Sequence, residues 1–274
     1  MYYDTHCHPY LAKEKSQEEI LENFFNGGGK YLNSIGCDLE SSQISINLAH
    51  KYPGVYASIG IHPTHCLDYI DNIQETINEL EKLYHKHADK IVAIGEIGLD
   101  YHWINSLSKK YSISEEKVII IQKEFFRAQI SLSKKLNLPI IIHNRSSADD
   151  VLDILIEMDC KDFVFHCYSE DLVYANRLLD HSPKCMLGFG GVTTFKSALG
   201  VQEAAQNIPL DNIMIETDSP YLTPSPFRGK EENEPILVKY ILSKIIDLRN
   251  EKPEDITRQV FENSIKFFVK KNNS

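Results

Sequence analysis

Residues 91–97 read Ile91-Val92-Ala93-Ile94-Gly95-Glu96-Ile97, a near-continuous apolar run broken by one carboxylate. Strands buried on both faces of a parallel sheet read this way, because helices cover both sides. Downstream, 115–136 carries an amphipathic helical period and stops before Asn137-Leu138-Pro139. A second run, Pro139-Ile140-Ile141-Ile142-His143, follows at once. Strand, long helix and strand in that order make a parallel crossover unit.

The same unit repeats along the chain. Strand-like runs are predicted at 2–6, 31–36, 55–62, 91–97, 139–143, 163–166, 185–190 and 213–217. Helical stretches are predicted at 18–26, 41–50, 72–86, 115–136, 148–159, 172–180, 197–207, 235–248 and 254–268. Gly27-Gly28-Gly29 and Tyr52-Pro53-Gly54 are stop signals after the first two helices. Eight strand–helix repeats over 274 residues predict a single (β/α)8 TIM barrel spanning 1–274, since such a barrel takes ~250 residues. The rival is an open doubly wound sheet. It would carry a Gly-rich phosphate loop after its first strand, where this chain has His8-Pro9-Tyr10. Lys270-Lys271-Asn272-Asn273-Ser274 reads as a frayed tail.

Composition narrows the class. The chain is 42% hydrophobic and 25% charged, and no apolar run approaches the ~20 residues of a membrane span. No basic and apolar leader precedes Asp4-Thr5-His6-Cys7-His8, and the six cysteines form no Cys-x-x-Cys pair. These features predict a cytoplasmic protein, a nuclear one staying open, with reduced thiols and no membrane partner. The oligomeric state is left open, with a monomer favoured. A net charge of −10 excludes a large passive nucleic-acid-binding surface, though not an enzyme that touches a few nucleotides.

In a barrel, chemistry gathers at the C-terminal ends of the strands. The runs here end in His6-Cys7-His8, His62, Glu96, His143, His166 and Asp218. Alternation along a strand turns His6 and His8 to one face, with Asp4 on the same face and Cys7 on the other. A lone strand-end histidine is usually a hydrogen-bonded loop residue. Several histidines and carboxylates at one end of different strands are not explained that way. His6, His8, His143 and His166 with Glu96 and Asp218 exceed what one tetrahedral site needs. They suit two divalent metal ions bridged by a carboxylate, with Mg, Mn and Zn all compatible. His50, His85, His87 and His181 are expected on the surface, and His65 and His102 are left open.

Six strings, in order, resemble the TatD family of metal-dependent deoxyribonucleases within the amidohydrolase-like barrels. They are Asp4-Thr5-His6-Cys7-His8, Gly60-Ile61-His62-Pro63 and Gly95-Glu96-Ile97-Gly98-Leu99-Asp100-Tyr101. Leu138-Pro139 with Ile142-His143-Asn144-Arg145, Phe165-His166-Cys167-Tyr168-Ser169, and Glu216-Thr217-Asp218-Ser219-Pro220-Tyr221-Leu222 complete the set. The resemblance implies that His6, His8 and Asp218 hold one cation with Glu96, and that His143 and His166 hold a second with Glu96. Arg228-Gly229-Lys230 and Asn233-Glu234-Pro235 resemble a substrate-side element, with one residue more than usual at Glu231-Glu232. The segment 102–114, with Trp103, Lys109, Lys110 and Tyr111, is longer than the family norm. It reads equally as a strand-lining element and as a variable surface loop.

The function so implied is hydrolysis of DNA phosphodiester bonds, in the manner of a 3′–5′ exodeoxyribonuclease, by a metal-bridging hydroxide. DNA, or RNA, is the expected substrate. Asp218 is assigned to orient or deprotonate the attacking water, and Arg145, Arg228, Lys230 and Asn233 to contact the substrate. His62 admits two readings, a substrate or leaving-group contact and a structural His-Pro turn. Two rival functions stay open: a hydrolase of another ester or amide, such as a D-aminoacyl-tRNA deacylase, and a silent binding protein on the same barrel.

Overall fold

Apolar runs of the sequence become strands, and the amphipathic stretches lie against them as helices. In the computed structural model, which describes residues 1–269, β1 (Tyr2–Cys7) is followed by α1 (Gln17–Asn26), β2 (Gly29–Ile35), α2 (Leu39–Lys51), β3 (Val55–Ile59) and α3 (Ile73–His87). Then come β4 (Ile91–Asp100), α4 (Ile104–Tyr111), α5 (Glu115–Leu136), β5 (Ile140–Arg145), α6 (Ala148–Glu157) and β6 (Phe163–Phe165). The chain continues through α7 (Leu172–His181), β7 (Met186–Phe189), α8 (Leu199–Asn207), β8 (Ile213–Ile215), α9 (Val238–Leu248) and α10 (Pro253–Ser264). The tail read at 270–274 lies outside the described residues.

Every strand pair is parallel, in the order β1 to β8. The seam between β8 and β1 is drawn shut by a parallel bridge between Cys7 and Ser219. Asp218 N–H donates to the His6 carbonyl (2.8 Å) and His8 N–H to the Ser219 carbonyl (2.7 Å). The sheet is therefore a TIM barrel, and its C-terminal strand ends share one mouth. Side-chain caps start several helices: Ser16, Asp38, Ser114 and Asp171 each accept from a backbone N–H three residues on.

Two apolar layers result. One fills the space between sheet and helices. The other fills the barrel with Tyr3, Ile35, Val92, Ala93, Ile141, Val164, Met186 and Met214, and Phe267 and Phe268 pack against it. Those two phenylalanines come from a wider helical turn, Ile265–Val269, where a continuous helix to 268 was expected. The segment 102–114 contains α4, a short helix missed as such; it buries Ile104 and Leu107, three apart, beside α5. All six cysteines are free thiols. Among the described residues no helix is long and apolar enough to cross a membrane.

The strand that carries the lone carboxylate is irregular where it matters. Between Ile94 and Ile97, β4 spends three steps against two in β5, a bulge centred on Gly95-Glu96. A Cβ on Gly95 would lie 2.5 Å from the Ile141 Cβ, so only glycine lets the strands approach there. Gly98 has φ +143°, and a Cβ on it would lie 2.0 Å from the His143 carbonyl oxygen. Gly98→Ala is expected to destabilise the fold by about 1–3 kcal/mol from backbone conformation alone, with relief of the overlap adding to it. A urea midpoint equal to that of the parent would refute the reading.

Candidate metal centre

Glu96, aimed inward by the bulge, is 4% exposed and stands at the middle of the mouth. Its two oxygens face different partners. Oε2 lies 3.4 Å from His6 Nε2 and 3.8 Å from His8 Nε2. Asp218 Oδ1 lies 3.7 and 3.6 Å from the same two nitrogens, which are 3.2 Å apart. Oε1 faces the other wall, 2.7 Å from His143 Nδ1 and 2.9 Å from His166 Nε2. All six strand-end donors named from sequence are thus brought together.

Those distances fit a divalent metal. A tetrahedron with bonds of ~2.0–2.1 Å has edges of about 3.3 Å. The five separations measured among His6, His8, Glu96 and Asp218 run from 3.2 to 3.8 Å. The nitrogens of His6 and His8 approach edge to edge, as donors to one shared cation do. His6 is fully buried, and its Nδ1 has no partner. On the other side, His143 and His166 converge on Oε1 and could hold a second ion with it.

The outer nitrogens of three rings are fixed from behind. Asp100 Oδ2 accepts from His143 Nε2 (3.1 Å), while Oδ1 accepts from the N–H groups of His102 and Trp103 (3.0 and 3.3 Å). Glu216 Oε1 accepts from His166 Nδ1 (3.1 Å) and Cys167 N–H (2.5 Å). His8 Nδ1 stands 3.3 Å from the Ile35 carbonyl and from the Tyr10 hydroxyl. Asp100 and Glu216 stand within the motif strings but had no role assigned from sequence. The available signal was a second carboxylate in each string, four residues after Glu96 and two before Asp218.

The two carboxylates of the centre are held ionised. Burial opposes ionisation of Glu96, but His166, His62, His6 and His143 outweigh it and hold its carboxyl well below the ordinary range. Asp218 is lowered in the same way, burial being overcome first by His8. Burial, then His143, pushes His62 down to about 3. Burial, then His166, lowers His6.

His62 lies at the end of β3 with Nε2 3.6 Å from Glu96 Oε1, close enough to count as a further metal donor. Its other nitrogen argues against that. Thr64 N–H donates to His62 Nδ1 (3.2 Å), and the Thr64 hydroxyl lies 2.7 Å from it. A backbone N–H can only donate, so Nδ1 is the acceptor and the ring proton sits on Nε2, facing the centre. The ring presents a donor there, not a lone pair.

The remaining assignments divide. Arg145 is exposed at the end of β5, its guanidinium 5.6 Å from the Trp103 ring centroid. Arg228 is exposed and stacks over Phe195 at 3.7 Å, and Lys230 is exposed beside it. Asn233, read as a substrate contact, is 1% exposed, and its amide donates to the carbonyls of Thr217 (2.8 Å) and Tyr221 (2.5 Å). The structure places it as a brace for the loop carrying Asp218. Glu232, in the lengthened stretch, accepts from the N–H groups of Lys13 and Glu14. Alternation put Asp4 beside His6 and His8. Its carboxylate instead accepts from Thr217 N–H (2.8 Å) and hydroxyl (2.5 Å), because a bulge between Asp4 and Cys7 breaks the period. His50 and His85 are exposed and His87 and His181 half-buried, none of them in the central cluster. His65 pairs with Asp38 at 3.2 Å.

Comparison with known proteins decides the lineage of this arrangement. The family model described as "TatD related DNase" matches residues 3–269. The chain belongs to the TatD family. Two relatives carry the name of uncharacterized metal-dependent hydrolase: YabD of Bacillus subtilis and YcfH of Escherichia coli. YabD is 36% identical over 271 residues, covering 98% of this chain and 99% of that one. YcfH is 32% identical over 271 residues, covering 97% and 94%. Among solved structures, the TatD homologue YJJV of Escherichia coli superposes with a TM-score of 0.85 at 25% identity, covering 97% of each chain. A TatD family hydrolase from Entamoeba histolytica, at 22% identity and TM-score 0.80 over 98% of each chain, shares the fold.

If Asp100 and Glu216 orient the ligands of this TatD-family centre, their replacement must be felt in metal affinity. Asp100→Ala and Glu216→Ala are each expected to weaken divalent-metal binding ~10–100-fold, read by competition with a chelating dye. Affinities equal to the parent would show that the rings need no such support.

Proposed function

We propose that this metal-dependent hydrolase of the TatD family cleaves phosphodiester bonds of DNA. Removal of nucleotides from the 3′ end is the finer form of the proposal. The observation that carries it is Glu96 set between two donor groups, His6–His8–Asp218 and His143–His166, beneath a rim bearing Arg145, Arg228 and Lys230. Two cations held by those groups would polarise phosphoryl oxygens and lower the pKa of bound water towards neutrality. The family's name supports DNA as the substrate, and resemblance alone supports the direction of attack.

The chain's own groups then have separable tasks. Glu96 stays ionised and ties both donor groups to one carboxylate. Asp218 is held in the left-handed region (φ +53°), a conformation that aspartate tolerates better than most residues. Its N–H is anchored on the His6 carbonyl, which fixes the carboxylate at the mouth. There it orients the attacking water and accepts its proton. His62 offers its Nε2–H to the leaving oxygen or to a phosphoryl oxygen, with no change of protonation state. Arg145, Arg228 and Lys230 neutralise the phosphates on either side of the scissile bond.

Chelator-stripped protein should be assayed on end-labelled single-stranded DNA, duplex DNA and RNA, and on a D-aminoacyl-tRNA ester, with Mg, Mn and Zn restored separately. Phosphodiester cleavage is expected only with metal. Glu96→Ala and Asp218→Asn are each expected to abolish it, while His62→Ala should lower the rate with metal content unchanged. Ester hydrolysis without any phosphodiester cleavage would replace this reading. Cleavage by Glu96→Ala at the parent rate would remove Glu96 from the centre.

A further inference from the structure

The loop after β8 is fastened at both ends to loops of other strands. Residues 224–231 first fold back on themselves. Phe227 and Arg228 N–H donate to the Pro224 carbonyl (2.9 and 3.1 Å), and Lys230 and Glu231 N–H to the Phe227 carbonyl (2.9 and 3.3 Å). Gly229 has φ +73°, and a Cβ on it would meet nothing within 4 Å. Arg228 and Lys230 flank that glycine and are exposed. The segment is a compact arm carrying two of the cations assigned to the rim.

On one side the arm rests on the loop after β7. Ser225 N–H donates to the Thr194 hydroxyl (2.8 Å), and the Arg228 guanidinium lies over the Phe195 ring. On the other side, half-buried Glu232 reaches the loop after β1. Its carboxylate accepts from Lys13 N–H and Glu14 N–H, both at 3.0 Å. Lys13 and Glu14 lie outside any helix or strand, so no ladder takes up those groups. Two successive N–H groups make a small anion-binding concavity, and a charged acceptor binds them more strongly than a neutral one. Glu234 adds a second tie, accepting from the Lys15 ammonium and from the Asn23 amide (3.2 Å). Loops with exposed backbone open locally at little cost, so the arm's position depends on these end contacts.

We infer that Glu232 is a positioning residue for substrate binding: its grip on the loop 12–16 sets where Arg228 and Lys230 stand at the rim. The inference rests on the nuclease reading and deepens it. The Glu232 carboxylate is turned to Lys13 and Glu14 rather than to the six donors. Its loss therefore leaves the metal and the chemical step alone. What it removes is binding made equally in the ground and transition states, and such a loss raises KM while sparing kcat.

The holoenzyme is assayed on an end-labelled DNA oligonucleotide. Glu232→Ala is expected to raise KM roughly 3- to 10-fold, with kcat and bound metal unchanged. Hydrogen exchange of the amides at 222–231, followed by mass spectrometry, should quicken in the same variant. Glu232→Gln keeps one carbonyl acceptor and should fall between. The KM effect should vanish where Arg228 and Lys230 are already alanine, because the grip then has no cations to place. A merely structural role would instead add its loss to theirs. Unchanged exchange at 222–231, or a KM effect that persists in full without Arg228 and Lys230, would overturn the inference. Quickened exchange in Glu232→Ala, with a parent that cleaves no phosphodiester, would keep the grip on the arm and remove the nuclease reading instead.

Discussion

The structure depends on a buried carboxylate faced by imidazoles on both sides. Glu96 is withdrawn from water, and an isolated carboxylate there would cost far more than the fold can spare. The nitrogens around its two oxygens lower that cost only if strands from both walls of the barrel converge. Closure of the sheet is therefore a condition of the site as well as of the core. The Nε2 atoms of His6 and His8 approach to 3.2 Å, and the rings of His6 and His166 stack at 3.8 Å between centroids. Donors brought this close only by the closed barrel would couple ion binding to stability.

Placing those donors needs departures from regular strand geometry, and each has a local cause. A bulge at Gly95-Glu96 turns the carboxylate inward, and two glycines let β4 and β5 approach around it. A second bulge between Asp4 and Cys7 frees Asp4 from the ligand face. Asp4 then binds Thr217, holding the end of β8 against β1. Asp218 follows in a left-handed turn. The closing seam and the metal donors are thus parts of one structure, since the backbone bonds between His6 and Asp218 serve both.

Much of this was legible because barrels put chemistry at strand ends. A histidine or carboxylate closing an apolar run could be named from sequence, and His6, His8, Glu96, His143, His166 and Asp218 do meet. The limits are equally physical. Period-two alternation fails at a bulge, so Asp4, which it turns to the face of His6 and His8, binds Thr217 instead. A motif string does not say which of its polar residues turn inward to brace the fold, and Asn233 went to the carbonyls of Thr217 and Tyr221. Asp100 and Glu216 lie within the strings yet act through other residues, a role visible only once His143 and His166 are seen beside them. The short helix 104–111 has too few turns for its period to stand out, and packing on α5 supports it.

The overall charge constrains how such a chain can hold a polyanion. At −10 it repels nucleic acid at long range, and Arg145, Arg228 and Lys230 at the rim oppose that field together with any bound metal. Three phosphate contacts on a single strand release few counterions, giving a salt slope of only about −2. Affinity that does not come from charge has to come from contacts indifferent to it, and base stacking on a neutral ring is one of these. On the proposed nuclease reading, a chain this acidic depends on short-range recognition of its substrate at the mouth.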